Sequence, residues 1–168
     1  MLGKLNHPNI VRLYESIDTY SNVYLITEFL EGTPLNEYIK TQEGAKFSEN
    51  ESLEILQQLL DAVSYLHKKG VCHRDIKLEN IVVVETSPKI KIKLIDFGFA
   101  VFFNASNPDH SLKLFCGTPS YMAPEMLAKK DYKGSNIDVW TCGVAFYALL
   151  TGYLPFAAHT ERDLYKKI

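Results

Sequence analysis

The chain has 168 residues, 46% of them apolar, and a formal net charge of −2. That is one domain's worth of chain with material for its own core, and the slightly acidic balance gives no reason to expect nucleic acid or an acidic membrane as partner. No apolar run is long enough for a membrane span and no basic-then-apolar leader opens the chain, while three cysteines without a Cys-x-x-Cys spacing point to reduced thiols in the cytoplasm or nucleus.

In chain order, residues 1–6 read as the last turns of a helix, closed by Asn6-His7-Pro8. Residues 9–15 and 23–29 are apolar and β-branched enough for two strands, with 18–22 as the turn between them. Thr33-Pro34 opens a short helix, the threonine as cap and the proline at the first position. The clearest helix covers 48–69, where Leu53, Leu56, Leu59, Leu60, Val63 and Leu66 recur at three- and four-residue spacing and predict one buried face. Ser48 with Glu51 has the capping-box pattern, and Gly70 after Lys68-Lys69 is a stop. Residues 81–84 and 90–95 predict two strands around a Thr-Ser-Pro turn. In the second, Ile90, Ile92 and Leu94 alternate with Lys89, Lys91 and Lys93, so the lysines are expected on a solvated face and not at a nucleic-acid site. Residues 99–120 are loop-rich. The stretch 135–150 is apolar almost all round, as in a helix buried in a core, and Thr160-Glu161-Arg162-Asp163 carries the cap of one more helix.

The chemistry is concentrated in His73-Arg74-Asp75-Ile76-Lys77-Leu78-Glu79-Asn80, which packs a carboxylate, two cations and a carboxamide into a loop between a predicted helix and a predicted strand. Phosphoryl transfer needs such a set. A carboxylate orients the attacking hydroxyl and takes its proton, a lysine offsets charge on the moving group, and an amide oxygen holds a metal. Asp96-Phe97-Gly98 follows, with Asp96 lying 21 positions after Asp75 and 16 after Asn80, and then comes Ala123-Pro124-Glu125. In this order the three motifs resemble those of protein kinases. The resemblance covers essentially the whole chain, and Lys77 with Thr118 places it on the serine/threonine side. The wording of 143–156 and 161–165 is similar to the calcium/calmodulin- and AMP-activated-kinase-related group.

The resemblance implies an α+β protein-kinase-like fold, incomplete here. Residues 1–30 would be the end of the N-lobe with the hinge, and 31–168 a mainly helical C-lobe stopping within its αG helix. The family's Gly-rich loop, phosphate-pairing lysine and αC glutamate have no counterpart in these 168 residues. The chain is therefore expected to be an inactive piece of a longer kinase, with a catalytically dead kinase-like binding module as the alternative. ATP and Mg2+ are the implied cofactors, and a protein with a serine or threonine is the implied substrate. Asp75, Lys77, Asn80 and Asp96 would be catalytic, Asn80 and Asp96 as metal ligands. Thr27 would be the gatekeeper, Glu28 and Leu30 the backbone readers of the purine edge, and Val82 the floor beneath it. Pro34 stands where many basophilic relatives carry a glutamate, so a simple preference for basic substrates does not follow.

The same resemblance gives structural and regulatory roles. His73 and Phe97 would join Leu2 and Leu13 in a hydrophobic spine resting on Asp138, which would brace the catalytic-loop backbone. Glu125 would lack its usual arginine partner. Arg74 marks kinases in which this arginine binds an activation-loop phosphate, yet Leu114 occupies the usual phosphorylation position. Arg74 is thus expected to find another anion, from Asp109 or a phosphorylated Ser111, or to stay solvated. The loop is expected not to be switched at the usual site, and in the alternative Leu114 and Phe115 simply pack it onto the C-lobe.

Overall fold

Two long helices, α2 (Glu49–Lys68) and α4 (Gly134–Thr151), pack on each other and support the rest of the molecule. In this computed structural model the described residues are 3, 5–87, 89–103 and 111–168. Three residues of the helix expected over 1–6, Leu2 among them, lie outside the described residues, as do Pro88 of the Thr-Ser-Pro turn and Asp109.

Helix α2 starts where the sequence says it should. The Ser48 hydroxyl accepts from the Glu51 N–H, and the Glu51 carboxylate accepts from the Ser48 N–H at 3.0 Å, so two otherwise unpaired amides are satisfied. Its buried face keeps part of the expected stripe, Leu59, Val63 and Leu66. Ser52, Ile55, Leu59, Ala62, Val63 and Leu66 face the core, whereas Leu53 and Leu60 are exposed. The stripe runs through Ile55, Leu59, Ala62 and Leu66, and small residues occupy core positions that a search for large apolar side chains passes over. Helix α4 is buried on most sides, with Val139 and Tyr147 as exposed exceptions, and Gly152 ends it in a left-handed turn.

Strands β1 (Leu13–Asp18) and β2 (Val23–Thr27) form an antiparallel hairpin. The first strand was expected from residue 9, but residues 9–11 turn aside to Leu94, at the end of a later strand. Leu94 N–H donates to the Asn9 carbonyl at 2.8 Å and Val11 N–H to the Leu94 carbonyl at 3.0 Å. Thr33–Pro34 is strand β3, and helix α1 (Leu35–Tyr38) begins only after it. The pair runs antiparallel to Val82 and Val83 of β5 (Ile81–Glu85), which in turn pairs with β6 (Lys91–Leu94), because Pro34 holds an extended ψ of 140°. Gly32 permits the approach, since a Cβ there would sit 2.3 Å from the Val83 carbonyl oxygen.

The lysines around β6 lie on a solvated side as expected, Lys89 and Lys91 being exposed, and only Lys93 is drawn inward. Lys89 pairs with Glu54 at 3.3 Å, Lys91 with Glu85 at 2.6 Å and Lys93 with Glu28 at 2.6 Å, and Lys93 keeps only 19% of its side chain exposed. A short pair, β4 (Val71–Cys72) with β7 (Val101–Phe102), leads into the loop over residues 73–80. Helix α3 (Pro124–Leu127) closes the loop region and α5 (Glu161–Lys167) ends the chain, the latter capped by Thr160. The main core lies between α1, α2, α4 and the β5–β6 hairpin, and a second, smaller core joins Cys72, Met122, Met126, Tyr132 and Ile137 beneath the loop. Among the described residues no helix is long and apolar enough to cross a membrane.

Candidate active site

The loop after β4 is held from below by one buried carboxylate. Asp138 of α4 is fully buried and accepts from the backbone N–H of His73 at 2.9 Å and of Arg74 at 2.8 Å. His67 of α2 adds a third contact, Nε2 to Oδ2 at 2.9 Å, so both long helices fix the same anchor. Charge-assisted bonds of this kind, shielded from water, are the ones that hold a backbone rigidly. With its amide so held, Arg74 takes a positive φ of 67°, and Asp96 takes one of 58°. For residues other than glycine that conformation is strained, and such strain collects at functional sites.

The buried His73 ring joins the loop to the strand end before Asp96. Its Nε2 bonds the Ile95 carbonyl at 3.1 Å and its Nδ1 lies 3.3 Å from the Asp75 N–H, an arrangement that suits a neutral ring donating at one nitrogen and accepting at the other. Burial lowers its pKa from the usual histidine value, against the opposing pull of Asp138. Phe97 packs edge-on against it, centroids 4.8 Å apart, while Leu13 lies half-buried at the start of β1.

The polar set converges on Asp75, which is buried. Lys77 Nζ reaches its Oδ2 at 2.9 Å, and the Asn80 amide nitrogen donates to the same oxygen at 2.9 Å and to the Asp75 carbonyl at 2.8 Å. Thr118, more than forty positions away on the loop, donates to Asp75 Oδ1 at 3.2 Å and accepts from Lys77 Nζ at 2.9 Å. A carboxylate, an ammonium and a hydroxyl therefore form one closed triangle. With the Asn80 nitrogen spent on Asp75, its amide oxygen is the group left for a cation.

That oxygen and Asp96 are brought to one end of the same hairpin. Ile81 pairs with Leu94, and the Ile95 N–H donates to the Asn80 carbonyl at 2.9 Å, one residue before Asp96. Asp96 is exposed, its Oδ1 accepting from the Gly98 N–H at 3.0 Å. One carboxylate and one amide oxygen beside open space suit magnesium, which keeps several waters and takes phosphate oxygens as further ligands. No group of three or more His, Cys, Asp or Glu side chains that could hold a metal occurs among the described residues. The site does not resemble a zinc or structural calcium centre.

At the other edge, Thr27 ends β2 opposite Leu13 and is exposed, while Val82 is buried beneath Pro34 in the β3–β5–β6 sheet. The Glu28 N–H donates to the Arg12 carbonyl, and its carboxylate accepts from the Arg12 N–H at 2.8 Å and from Lys93. Burial raises the Glu28 pKa, but Lys93 and Arg12 outweigh it and hold the group below the usual glutamate value. Leu30 is half-buried in the segment after β2 and has no regular secondary structure.

On the loop, Arg74 is not solvated: it is buried, its Nε donates to the Phe99 carbonyl at 2.8 Å and its Nη1 to the Tyr132 hydroxyl at 3.3 Å. Among the described residues a carbonyl and a phenol are what its guanidinium meets, and the Asp109 expectation lies outside them. Ser111 bonds Asp131 at 3.2 Å, away from Arg74. Leu114 is 60% exposed and Phe115 39%, so these two side chains do not pin the loop. Glu125 is half-buried in the first turn of α3.

Other residues were not singled out by the sequence. Tyr132 and His67 carry no motif, and only their contacts reveal them. Burial raises the thiol pKa of Cys72, Cys116 and Cys142 alike, so none is poised as a thiolate nucleophile.

Comparison with known proteins identifies the family. The family model described as protein kinase domain matches residues 1–168. CBL-interacting serine/threonine-protein kinase 14 of Arabidopsis thaliana is 42% identical over 168 residues, which is 100% of this chain and 37% of that protein. CBL-interacting protein kinase 21 of Oryza sativa subsp. japonica is 43% identical over 167 residues, 99% of this chain and 31% of that protein. The chain thus spans about a third of the length of the relatives it matches. These relatives belong with the calcium- and AMP-activated-kinase-like serine/threonine kinases. With a matching model along its whole length and relatives above 40% identity, the chain belongs to the protein kinase domain family.

Proposed function

We propose that this chain carries the catalytic loop of a protein kinase that phosphorylates serine or threonine in protein substrates. The observation that carries it is the Asp75–Lys77–Thr118 triangle, with Asn80 bonded to Asp75 and Asp96 beside it. Mg-ATP, when bound, would supply the phosphoryl group and a cation to offset its charge. Asp75 Oδ1 faces the loop and has a second lone pair, so an incoming hydroxyl can donate there beside Thr118 and lose its proton to the carboxylate. Lys77, tied to Asp75 and Thr118, places its positive charge where negative charge develops on the transferred group. Asn80 and Asp96 are the ligands offered to magnesium.

Thr27, Glu28 and Leu30 edge the purine pocket and Val82 floors it. Residues 1–30 act as the end of the N-lobe with the hinge, and 31–168 as the C-lobe. On their own the 168 residues are proposed to be inactive, because they hold no Gly-rich loop or phosphate-pairing lysine, and phosphoryl transfer rests almost wholly on positioning and electrostatics. The intact polar set speaks against a module that binds without ever catalysing. Three free cysteines support a reducing compartment, the cytoplasm or nucleus. In the full-length protein, Asp75→Ala is expected to lower peptide phosphorylation by at least about a thousandfold with the circular-dichroism spectrum unchanged. Undiminished transfer would sink the assignment.

A further inference from the structure

We propose that Tyr132 is a positioning residue for this reaction: its hydroxyl couples the Arg74 guanidinium to the Leu114 carbonyl and so holds the substrate loop against the catalytic loop. The inference rests on the kinase reading above and names the device that orders its loop. Tyr132 is buried in the small core beneath the loop, and its backbone is bonded both ways to Leu112, at 2.8 and 3.0 Å. Its hydroxyl accepts from Arg74 Nη1 at 3.3 Å and donates to the Leu114 carbonyl at 2.6 Å. A phenol can do both at once, and a cation on its oxygen strengthens the bond that its hydrogen makes.

Apolar packing is only part of what places residues 114–118. Leu114 is exposed and Phe115 is partly covered, with the Lys129 ammonium over its ring, while Cys116 packs on the small core. The Tyr132 hydroxyl adds a fixed tie to the backbone at Leu114. Three residues beyond Leu114, Gly117 at φ +107° passes so close to the catalytic loop that a Cβ would stand 3.0 Å from the Arg74 carbonyl oxygen. Thr118 follows and completes the triangle with Asp75 and Lys77. Arg74 therefore meets the loop at two points: its guanidinium is tied to it by way of Tyr132, and its carbonyl lies where the chain passes closely at Gly117. With the guanidinium engaged by a neutral phenol, the loop needs no phosphate at Leu114 to be ordered.

The test is a double-mutant cycle in the full-length protein with a serine/threonine peptide, read by steady-state kinetics and by amide hydrogen exchange. Tyr132→Phe deletes one oxygen and should lower kcat about tenfold, the scale of a hydrogen bond to a charged group, with KM for ATP within about twofold of wild type. Arg74→Met should fall at least as far, and the double variant no further than Arg74→Met, since the two act through one relay. Amides at 112–116 should exchange faster in Tyr132→Phe. Wild-type kcat in Tyr132→Phe, losses that multiply in the double variant, or unchanged exchange would each overturn the proposal. If the wild-type protein phosphorylates no peptide, the kinase reading and the positioning role fall together, and exchange, which needs no turnover, still shows separately whether the tie exists.

Discussion

At the level of single residues, the site is a set of groups made precise by others that never touch a substrate. Asp138 and His73 are the clearest pair. His73 is buried and bonded as a neutral ring, and its burial lowers its pKa in the folded state. As pH falls, the unfolded chain takes up that proton first, near the ordinary histidine pKa of about 6.5. The stability held above that pH is therefore lost as pH drops below it, because protonating Nδ1 would set a donor against the Asp75 N–H. The melting temperature should fall between pH 7.5 and pH 5.5, and more steeply in wild type than in His73→Phe. Parallel curves would show that the ring is not the group responsible. The sequence displayed the four polar residues of the site through their motifs. It hid Tyr132 and His67, because a tyrosine on a loop and a histidine late in a helix acquire meaning only from what the fold sets beside them.

At the level of elements, local signals with a chemical mechanism transferred well, and signals based on counting apolar residues transferred less well. The Ser48–Glu51 capping box, the Gly70 stop and the Thr160 cap are all formed, since each is satisfied within one turn. The face of α2 was shifted, because Ser52 and Ala62 take core places while Leu53 and Leu60 do not. The wet face expected for the β6 lysines holds for Lys89 and Lys91, while Lys93 is drawn inward by Glu28 of the segment after β2. Thr33–Pro34 became a strand because Gly32 lets the chain lie against β5, a contact over fifty positions away. Adding one methyl group tests that contact. Gly32→Ala should cost about 1–3 kcal/mol of stability, since a Cβ cannot share the space of the Val83 carbonyl without a backbone shift. Gly143→Ala, on an open side of helix α4 with nothing within 4 Å, should leave stability unchanged or raise it by about 0.5–1 kcal/mol. Equal unfolding midpoints for the two variants would remove Gly32 as the device that seats β3.

At the level of the whole molecule, two helices hold one anchor, the anchor holds a loop, and the loop gathers Asp75, Lys77, Asn80 and Thr118 within hydrogen-bond reach of one another. The β1–β2 hairpin stands apart from this support, with Tyr20, Val23, Tyr24, Leu25 and Phe29 exposed. The α+β class and the kinase family were both legible in the sequence, because three motifs in fixed order demand one arrangement of loops at the end of a hairpin. What could not be read was how the arginine of the first motif is used, since that depends on a tyrosine 58 positions later. The central claim is transfer of a phosphoryl group to an aliphatic hydroxyl. It is tested most directly by incubating the full-length protein with Mg2+, ATP labelled at the γ-phosphate and a degenerate peptide library, then hydrolysing the products to identify the labelled amino acid. Label in phosphoserine or phosphothreonine is expected. Label only in inorganic phosphate, or only in phosphotyrosine, would contradict it.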